Sequence, residues 1–373
     1  MASILGAGLM KVSSHWNMSI EDLAFEAAEQ AMRDANTEKV DAIIVANAFS
    51  GVANGQENLA AHIASNLGMA RKPSFKIELE GASGGAALVA ACSLLNRYDR
   101  ILLIGVEKLS DVTSLEDISS VVSSSINREH EGILGATVYS HHALMMREYM
   151  RRYKLEERDF GHFPIMMHEN AINVPHAQLR FKVSMKEYIE SPYVSTPLKL
   201  MDIPSEADGA AAIILSRSDG PVKVAGIGFS GNEAIITHRV DSLDLENVTS
   251  AFNMAMQEAG IGIKDLDFIQ IHDTSSVLAY LQIESLGLSD KGKAARDTEN
   301  GKFRRDGEIP INPEGGMKAR GYPVGASGIY QLAESYMQLK GAADGYQIQG
   351  AKNCAVVSLG GLASSCIVAV LRR

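Results

Sequence analysis

A chain of 373 residues, 46% apolar and 21% charged, has a globular composition and is long enough for two domains around a large core. Its formal net charge of −10 argues against nucleic-acid and anionic-membrane partners, which need clustered Lys and Arg. No apolar run reaches the roughly 20 residues of a membrane-spanning helix, and the opening MASILGAGLMKVSS is read as carrying no signal peptide. Three dispersed cysteines, Cys92, Cys354 and Cys366, suit a reducing compartment, so the expected location is cytoplasmic.

In chain order, Gly6-Ala7-Gly8 comes first. It lacks the third glycine of a dinucleotide loop, a place that Lys11 takes, and nucleotide binding is not expected. Residues 19–45 predict a helix capped by Ser19 and Asp22, with Leu23, Ala27, Ala31 and Met32 on one face, followed by the strand AIIV. KIELEGASGGAALVAAC (76–92) then predicts an alternating strand, a sharp turn and a helix. Such a turn often mounts a nucleophile at a helix N-terminus, yet its tip is Gly81, which has no side chain. Glu80 stands just before it, as a second acid/base or as a solvent-facing strand residue.

The strand ILLIGVEK (101–108) leads into an insert, about 112–200, rich in Met, His and Tyr. Within it TVYSHHALMMREYMRRYKL reads as helical and HENAINVPHAQLRF as irregular. Adjacent helical residues splay by about 100°, so His141 and His142 do not converge on a metal. With no HExxH or CxxC pattern, no metal site is expected and the two histidines read as structural.

The second half repeats the plan of the first. Residues 245–271 predict a helix with Phe252, Met256 and Ala259, a stop at Gly260 and the strand FIQI after Asp267. SDKGKAARDTENGKFRRDGE (289–308) reads as a solvated loop. GYPVGASGIYQLAESYMQL and the strand AVVSLGG (355–361) match the Gly-rich turn, helix and strand of the first half. A duplicated α/β architecture follows, with the seam inside AAAIILSRSDGPVKVAGI: residues 1–220 form one half and 221–373 the other. Equivalent loops of two such halves can meet at one cleft. His272-Asp273-Thr274, Gly321-Tyr322-Pro323-Val324-Gly325, Ser358-Leu359-Gly360-Gly361 and the Gly81 turn are therefore read as one convergent site.

These four loops, with GVEK (105–108), PLKLMDIPSEADGAAAIIL (197–215) and GGMKARGYPVGASG (315–328), resemble the thiolase superfamily nearly end to end. The sterol-carrier-protein thiolases and their archaeal relatives are the most similar branch. The resemblance implies duplicated βαβαβαββ halves in a five-layered α/β/α/β/α sandwich, an inserted loop domain, and a homodimer or tetramer. It also implies an acyl-CoA ligand of lipid metabolism, coenzyme A entering only as part of the substrate. A small zinc-ribbon/OB-fold acyl-CoA-binding protein is an expected companion.

The family's reactive groups do not carry over. Where it places a nucleophilic Cys in a CASGG-like turn, this chain has Gly81-Ala82-Ser83-Gly84-Gly85. Tyr322 replaces the histidine of GHPxGAxG, Thr274 the cysteine of HDCF, and Ser358 the cysteine other thiolases use; His272 alone persists. Glycine cannot be acylated, and tyrosine, with a pKa of about 10, is a poor base at neutral pH. By resemblance, the N–H groups of Gly81 and Gly360 form one oxyanion hole and His272 contributes to a second through water. Ser83, Thr274, Ser358, Ala326 and Ser327 are assigned to substrate binding on the same ground. Such a site suits aldol or retro-aldol chemistry through an enolate, with Tyr322 on a β-hydroxyl and no covalent intermediate. The alternatives are a non-catalytic subunit that binds CoA esters or scaffolds a partner, and an acetyl-CoA acetyltransferase.

Overall fold

The computed structural model describes residues 2–373. Nine of its eleven strands build one mixed sheet: β1 (Ala2–Leu9), β2 (Ala42–Ala46), β3 (Ser74–Ile77), β4 (Arg100–Glu107), β7 (Gly209–Ser216), β8 (Val222–Gly231), β9 (Phe268–Gln270), β10 (Asn353–Gly360) and β11 (Ser365–Arg372). The remaining two, β5 (Tyr193–Ser195) and β6 (Leu198–Lys199), pair with each other inside the insert. The sheet order is β3-β2-β4-β7-β1-β8-β11-β10-β9. It joins at its middle through three residue pairs, Ala2–Ile4 against Val222–Val224. Outward from that join, β1-β7-β4-β2 is mirrored by β8-β11-β10-β9 with the same parallel and antiparallel senses. The place of β3 is taken in the second half by Ile311, which makes a single parallel bridge to Ile269.

Alternation along the strands creates the layers. Ile43, Val45, Leu102 and Ile104 point outward onto the Ile20–Asp34 and Leu59–Asn66 helices. Ile44, Ile101 and Leu103 point inward, into a shared layer with Tyr330, Leu332 and the second-half residues Phe268, Val356 and Leu371. Val357, Val368 and Val370 point outward again, onto the Glu246–Ala259 helix. Helix, half-sheet, central helices, half-sheet and helix thus stack as the expected five layers. Ser19 and Asp22 form the predicted capping box, and Gly260 ends its helix in the left-handed region at φ 65°.

Glycines set the closest approaches in both halves. A Cβ on Gly6 or Gly8 would lie 2.6 Å from Ala31 O or 2.2 Å from Ala27 O, and one on Gly226 or Gly228 would lie 2.2 Å from Ala255 O or 1.8 Å from Ala251 O. The Gly6-Ala7-Gly8 run is therefore a strand–helix packing device, repeated 220 residues later as Gly226-Ile227-Gly228. The two Gly-rich turns meet in the central layer. There a Cβ on Gly84 would lie 2.6 Å from Ile329 N, and one on Gly328 would lie 2.9 Å from Gly85 N. The Ser83–Leu94 and Ser327–Lys340 helices consequently begin side by side.

Three sequence readings need correction. The strand predicted over 76–80 stops at Ile77, because Leu79 and Glu80 turn into a 3₁₀ segment. HENA belongs to a helix, His162–Ala171, which buries Phe163, Met166 and Met167. The stretch 289–308 is not simply solvated: it contains the Ala294–Glu299 helix and buries Ala294, Ala295 and Phe303 against the core.

Candidate functional site

Four backbone segments bring the site together. Glu80 follows the end of β3 and adopts φ +48°, a left-handed conformation that costs a non-glycine residue about 1 kcal/mol or more. That turn sends its carboxylate across to the β10–β11 loop, where Oε2 accepts the Gly361 N–H at 2.9 Å. Ser83 holds the turn from beneath: its Oγ accepts the Leu79 N–H at 2.8 Å and donates to the Glu80 carbonyl at 2.6 Å. His272 emerges past β9 with its backbone clamped by Gln282, whose Oε1 accepts the His272 N–H and whose Nε2 donates to the His272 carbonyl. Tyr322 is pinned by the chain before β7. Its N–H donates to Ser205 O at 3.0 Å, and its carbonyl accepts the Ala207 N–H at 3.3 Å.

The side chains then meet. The Tyr322 hydroxyl donates to Glu80 Oε1 at 3.2 Å and lies 3.5 Å from His272 Nε2. The two rings pack edge to face, with centroids 5.8 Å apart. His272 stands against Gly81 itself: a Cβ built on Gly81 would lie 2.6 Å from His272 Cε1 and 2.7 Å from its Nε2. The space that a side chain at residue 81 would need is thus filled by the imidazole.

Burial sets the proton affinities. It raises the Glu80 carboxyl to about 7, although the N–H groups of Gly81 and Gly361 and the Tyr322 hydroxyl pull the other way. Burial, with the Arg320 charge, pushes His272 down to about 3, so its ring is neutral. Tyr322 is held well above the usual tyrosine range by burial and by the neighbouring Glu80 charge. At neutral pH the only group of this trio poised to exchange a proton is Glu80, and the Tyr322 hydroxyl stands between it and His272.

Of the ten residues singled out from sequence, Glu80, Gly81, His272 and Tyr322 are brought into direct contact. Gly360 is the last residue of β10 and packs on the same turn, its would-be Cβ 2.5 Å from Leu79 O. The backbone N–H that the Glu80 carboxylate accepts is that of Gly361, one residue beyond the expected Gly360. Ser83 is wholly buried within the turn, and Ala326 and Ser327 are wholly buried at the start of the second central helix. Ser358 lies beneath that helix start, 3.0 Å from the position of a Cβ on Gly328, while Thr274 donates its N–H to His272 O. Cys92 lies on the flank of the Ser83–Leu94 helix, with its thiol raised to about 12 by burial, and Cys366 is buried in β11.

Sequence reasoning passed over Tyr139 and Glu206, and read His142 as structural. Tyr139 donates to Glu206 Oε1, and Glu206 forms a parallel bridge with Tyr322. His142, one turn after Tyr139, packs edge-on to it at 6.2 Å between ring centroids. The available signal was the three-residue spacing of Tyr139 and His142, which puts both on one helix face.

The description "Thiolase, N-terminal domain" matches residues 5–219, and "Thiolase C-terminal domain-like" matches 229–373. The chain belongs to the thiolase family. This thiolase-family chain is 33% identical to an acetyl-CoA acetyltransferase of Methanothermobacter thermautotrophicus, over 100% of its own length and 99% of the relative's. It is 28% identical to sterol carrier protein 2 of Homo sapiens, covering 94% of itself and 68% of that protein. Among solved structures it superimposes on the "Ltp2-ChsH2(DUF35) aldolase" with a TM-score of 0.84 at 20% identity, covering 100% of this chain and 97% of the other. No helix among the described residues is long and apolar enough to cross a membrane.

Proposed function

We propose that this thiolase-family protein binds an acyl-CoA thioester at the four-loop site and makes or breaks the adjacent carbon–carbon bond through an enolate, without an acyl-enzyme. The observation that carries this reading is the contact set Tyr322–Glu80–Gly361, beside a Gly81 whose side-chain space His272 occupies. A thiolase cycle needs a thiolate and a base for it. Aldol chemistry needs only a proton acceptor for a β-hydroxyl and donors for the enolate oxygen.

In the cleavage direction the β-hydroxyl gives its proton to Tyr322 as Tyr322 passes its own to Glu80. The carbonyl of the departing product forms as the Cα–Cβ bond breaks, and the electron pair moves into the thioester enolate. Protonation of Glu80 removes the charge that holds the Gly361 N–H, which frees it, beside the Gly81 N–H, as negative charge arrives on the thioester oxygen. The acetyl-CoA acetyltransferase relative supports a CoA thioester as the substrate class, and the aldolase structure supports both the reaction type and a partner subunit.

A second reading, a non-catalytic CoA-ester-binding subunit, is favoured by the burial of Tyr322 and His272, each 2% exposed. Calorimetric titration with acetyl-CoA and a medium-chain acyl-CoA, then mass spectrometry of the mixture with a β-hydroxyacyl-CoA, separates the two. Binding with cleavage that disappears in Tyr322→Phe supports the enzyme. Binding without cleavage, alone and with a partner subunit, supports the silent role.

A further inference from the structure

The mechanism above uses one tyrosine–carboxylate pair, yet the site contains two. Tyr139 is the second residue of the Val138–Tyr153 helix of the insert, inside the first turn that a Thr137 and Ser140 capping box fixes. Its hydroxyl donates to Glu206, and Glu206 is tied by backbone pairing to Tyr322, whose N–H and carbonyl bond to the residues on either side of it. The pair Tyr139–Glu206 therefore stands beside the pair Tyr322–Glu80, held there by a different part of the chain.

Two further observations mark this flank as a place for a ligand. Both ring nitrogens of His142, a residue 1% exposed, are buried without a hydrogen-bond partner, as is Nδ1 of His272. Buried polar atoms are ordinarily satisfied, and these imidazoles border the two tyrosines. Glu80 and Glu206 both retain partial exposure, so each can trade a proton with solvent. Burial lifts the Glu206 carboxyl above its ordinary range and holds Tyr139 well above the usual tyrosine range, in parallel with the first pair.

We infer that Tyr139 and Glu206 form a second proton-transfer pair of this site, delivering the proton to the enolate α-carbon while Tyr322 and Glu80 serve the β-hydroxyl. The inference rests on the enolate chemistry proposed above. The balance is simple. One proton leaves the β-hydroxyl for Glu80 through Tyr322, and the Cα–Cβ electron pair becomes the enolate. Tyr139 then gives its proton to the α-carbon as protonated Glu206 replaces it. The products are a carbonyl compound and a shortened acyl-CoA. Water returns a proton to Glu206 and takes one from Glu80, with no oxidant or reductant involved.

Deuterium incorporation into the methyl group of acetyl-CoA in D₂O isolates this second pair, because acetyl-CoA has an α-carbon and no β-hydroxyl. With the full-length protein, Tyr139→Phe and Glu206→Gln should each slow incorporation by about a hundredfold or more, with acetyl-CoA affinity unchanged. Tyr322→Phe should lose far more of its β-hydroxyacyl-CoA cleavage rate than of its exchange rate. Incorporation at the wild-type rate in Tyr139→Phe overturns the inference and leaves the enolate reading intact, as does an equal loss of exchange in Tyr322→Phe. A wild-type protein that binds acetyl-CoA but neither exchanges it nor cleaves a β-hydroxyacyl-CoA overturns the enolate reading and the inference together. Should Tyr139→Phe fail to fold, Glu206→Gln decides by the same measure.

Discussion

His272 occupies the space that a side chain on Gly81 would need, its Cε1 only 2.6 Å from the position of a Cβ there. The bare glycine and the placement of the imidazole are thus one packing arrangement, and a single substitution at residue 81 does not undo it. Gly81→Cys should destabilise the fold by about 1–3 kcal/mol, the usual cost of overpacking a filled site. It should form no acyl-enzyme with acetyl-CoA. Denaturant unfolding and intact-protein mass spectrometry check the two halves of this statement, and a Gly81→Cys protein that is both stable and acylated would show that His272 yields easily.

The pH response should come from Glu80 and not from histidine. With Glu80 raised to about 7 and His272 lowered to about 3, activity that needs the carboxylate should rise with pH through an inflection near 7. Glu80→Gln should lower activity by about a hundredfold or more and abolish that inflection. A pH–rate profile of both proteins is the measurement.

Stability should run the other way. Between the ordinary glutamate value of 4.5 and about 7, the folded chain keeps a proton on Glu80 that the unfolded chain has lost. Folding stability is therefore fullest below that window and declines as pH rises through it. Glu107 and Asp273, also raised to about 7, add to the same decline. Chemical denaturation at pH 5 and pH 8 should show a smaller drop for Glu80→Gln than for the wild type, and an identical drop would place the Glu80 carboxyl at its ordinary value.

Tyr322→Phe should separate fold from chemistry. The ring and its edge-to-face packing on His272 remain, and only the hydroxyl between Glu80 and His272 is removed. Stability should change by about 1 kcal/mol, while cleavage of a β-hydroxyacyl-CoA should fall by about a hundredfold or more. Thermal unfolding and steady-state kinetics on one preparation test both.

The paired glycines of the two halves should respond alike. Gly228→Ala places a Cβ 1.8 Å from Ala251 O, and Gly8→Ala one 2.2 Å from Ala27 O, backbone atoms that no rotamer change can move aside. Each should cost about 1–3 kcal/mol or more, read as a lowered unfolding midpoint. Gly68→Ala, which meets nothing within 4 Å but sits at φ +70°, is the comparison for backbone strain alone.

The duplicated α/β plan, the capped and stopped helices that the two halves share, and the four loops that meet at the site are legible in the residue order, whereas the His162–Ala171 and Ala294–Glu299 helices are not. The legible features rest on periodicity and turn chemistry, which act over a few residues and are written in order along the chain. The lack of a thiol at residue 81 and the presence of tyrosine at 322 are legible there too. What these residues touch is a matter for the folded chain. Tyr322 and Glu80 are 242 residues apart, and Tyr139 and Glu206 are 67 apart, distances over which no local pattern reports a contact. The direction of the Glu80 carboxylate came from one left-handed residue at the end of a shortened strand. The partner of each tyrosine, and the imidazole packed against Gly81, followed from how two half-sheets and an insert close around shared glycine contacts. Contact between distant residues is a property of packing, and packing is settled only when the layers are in place.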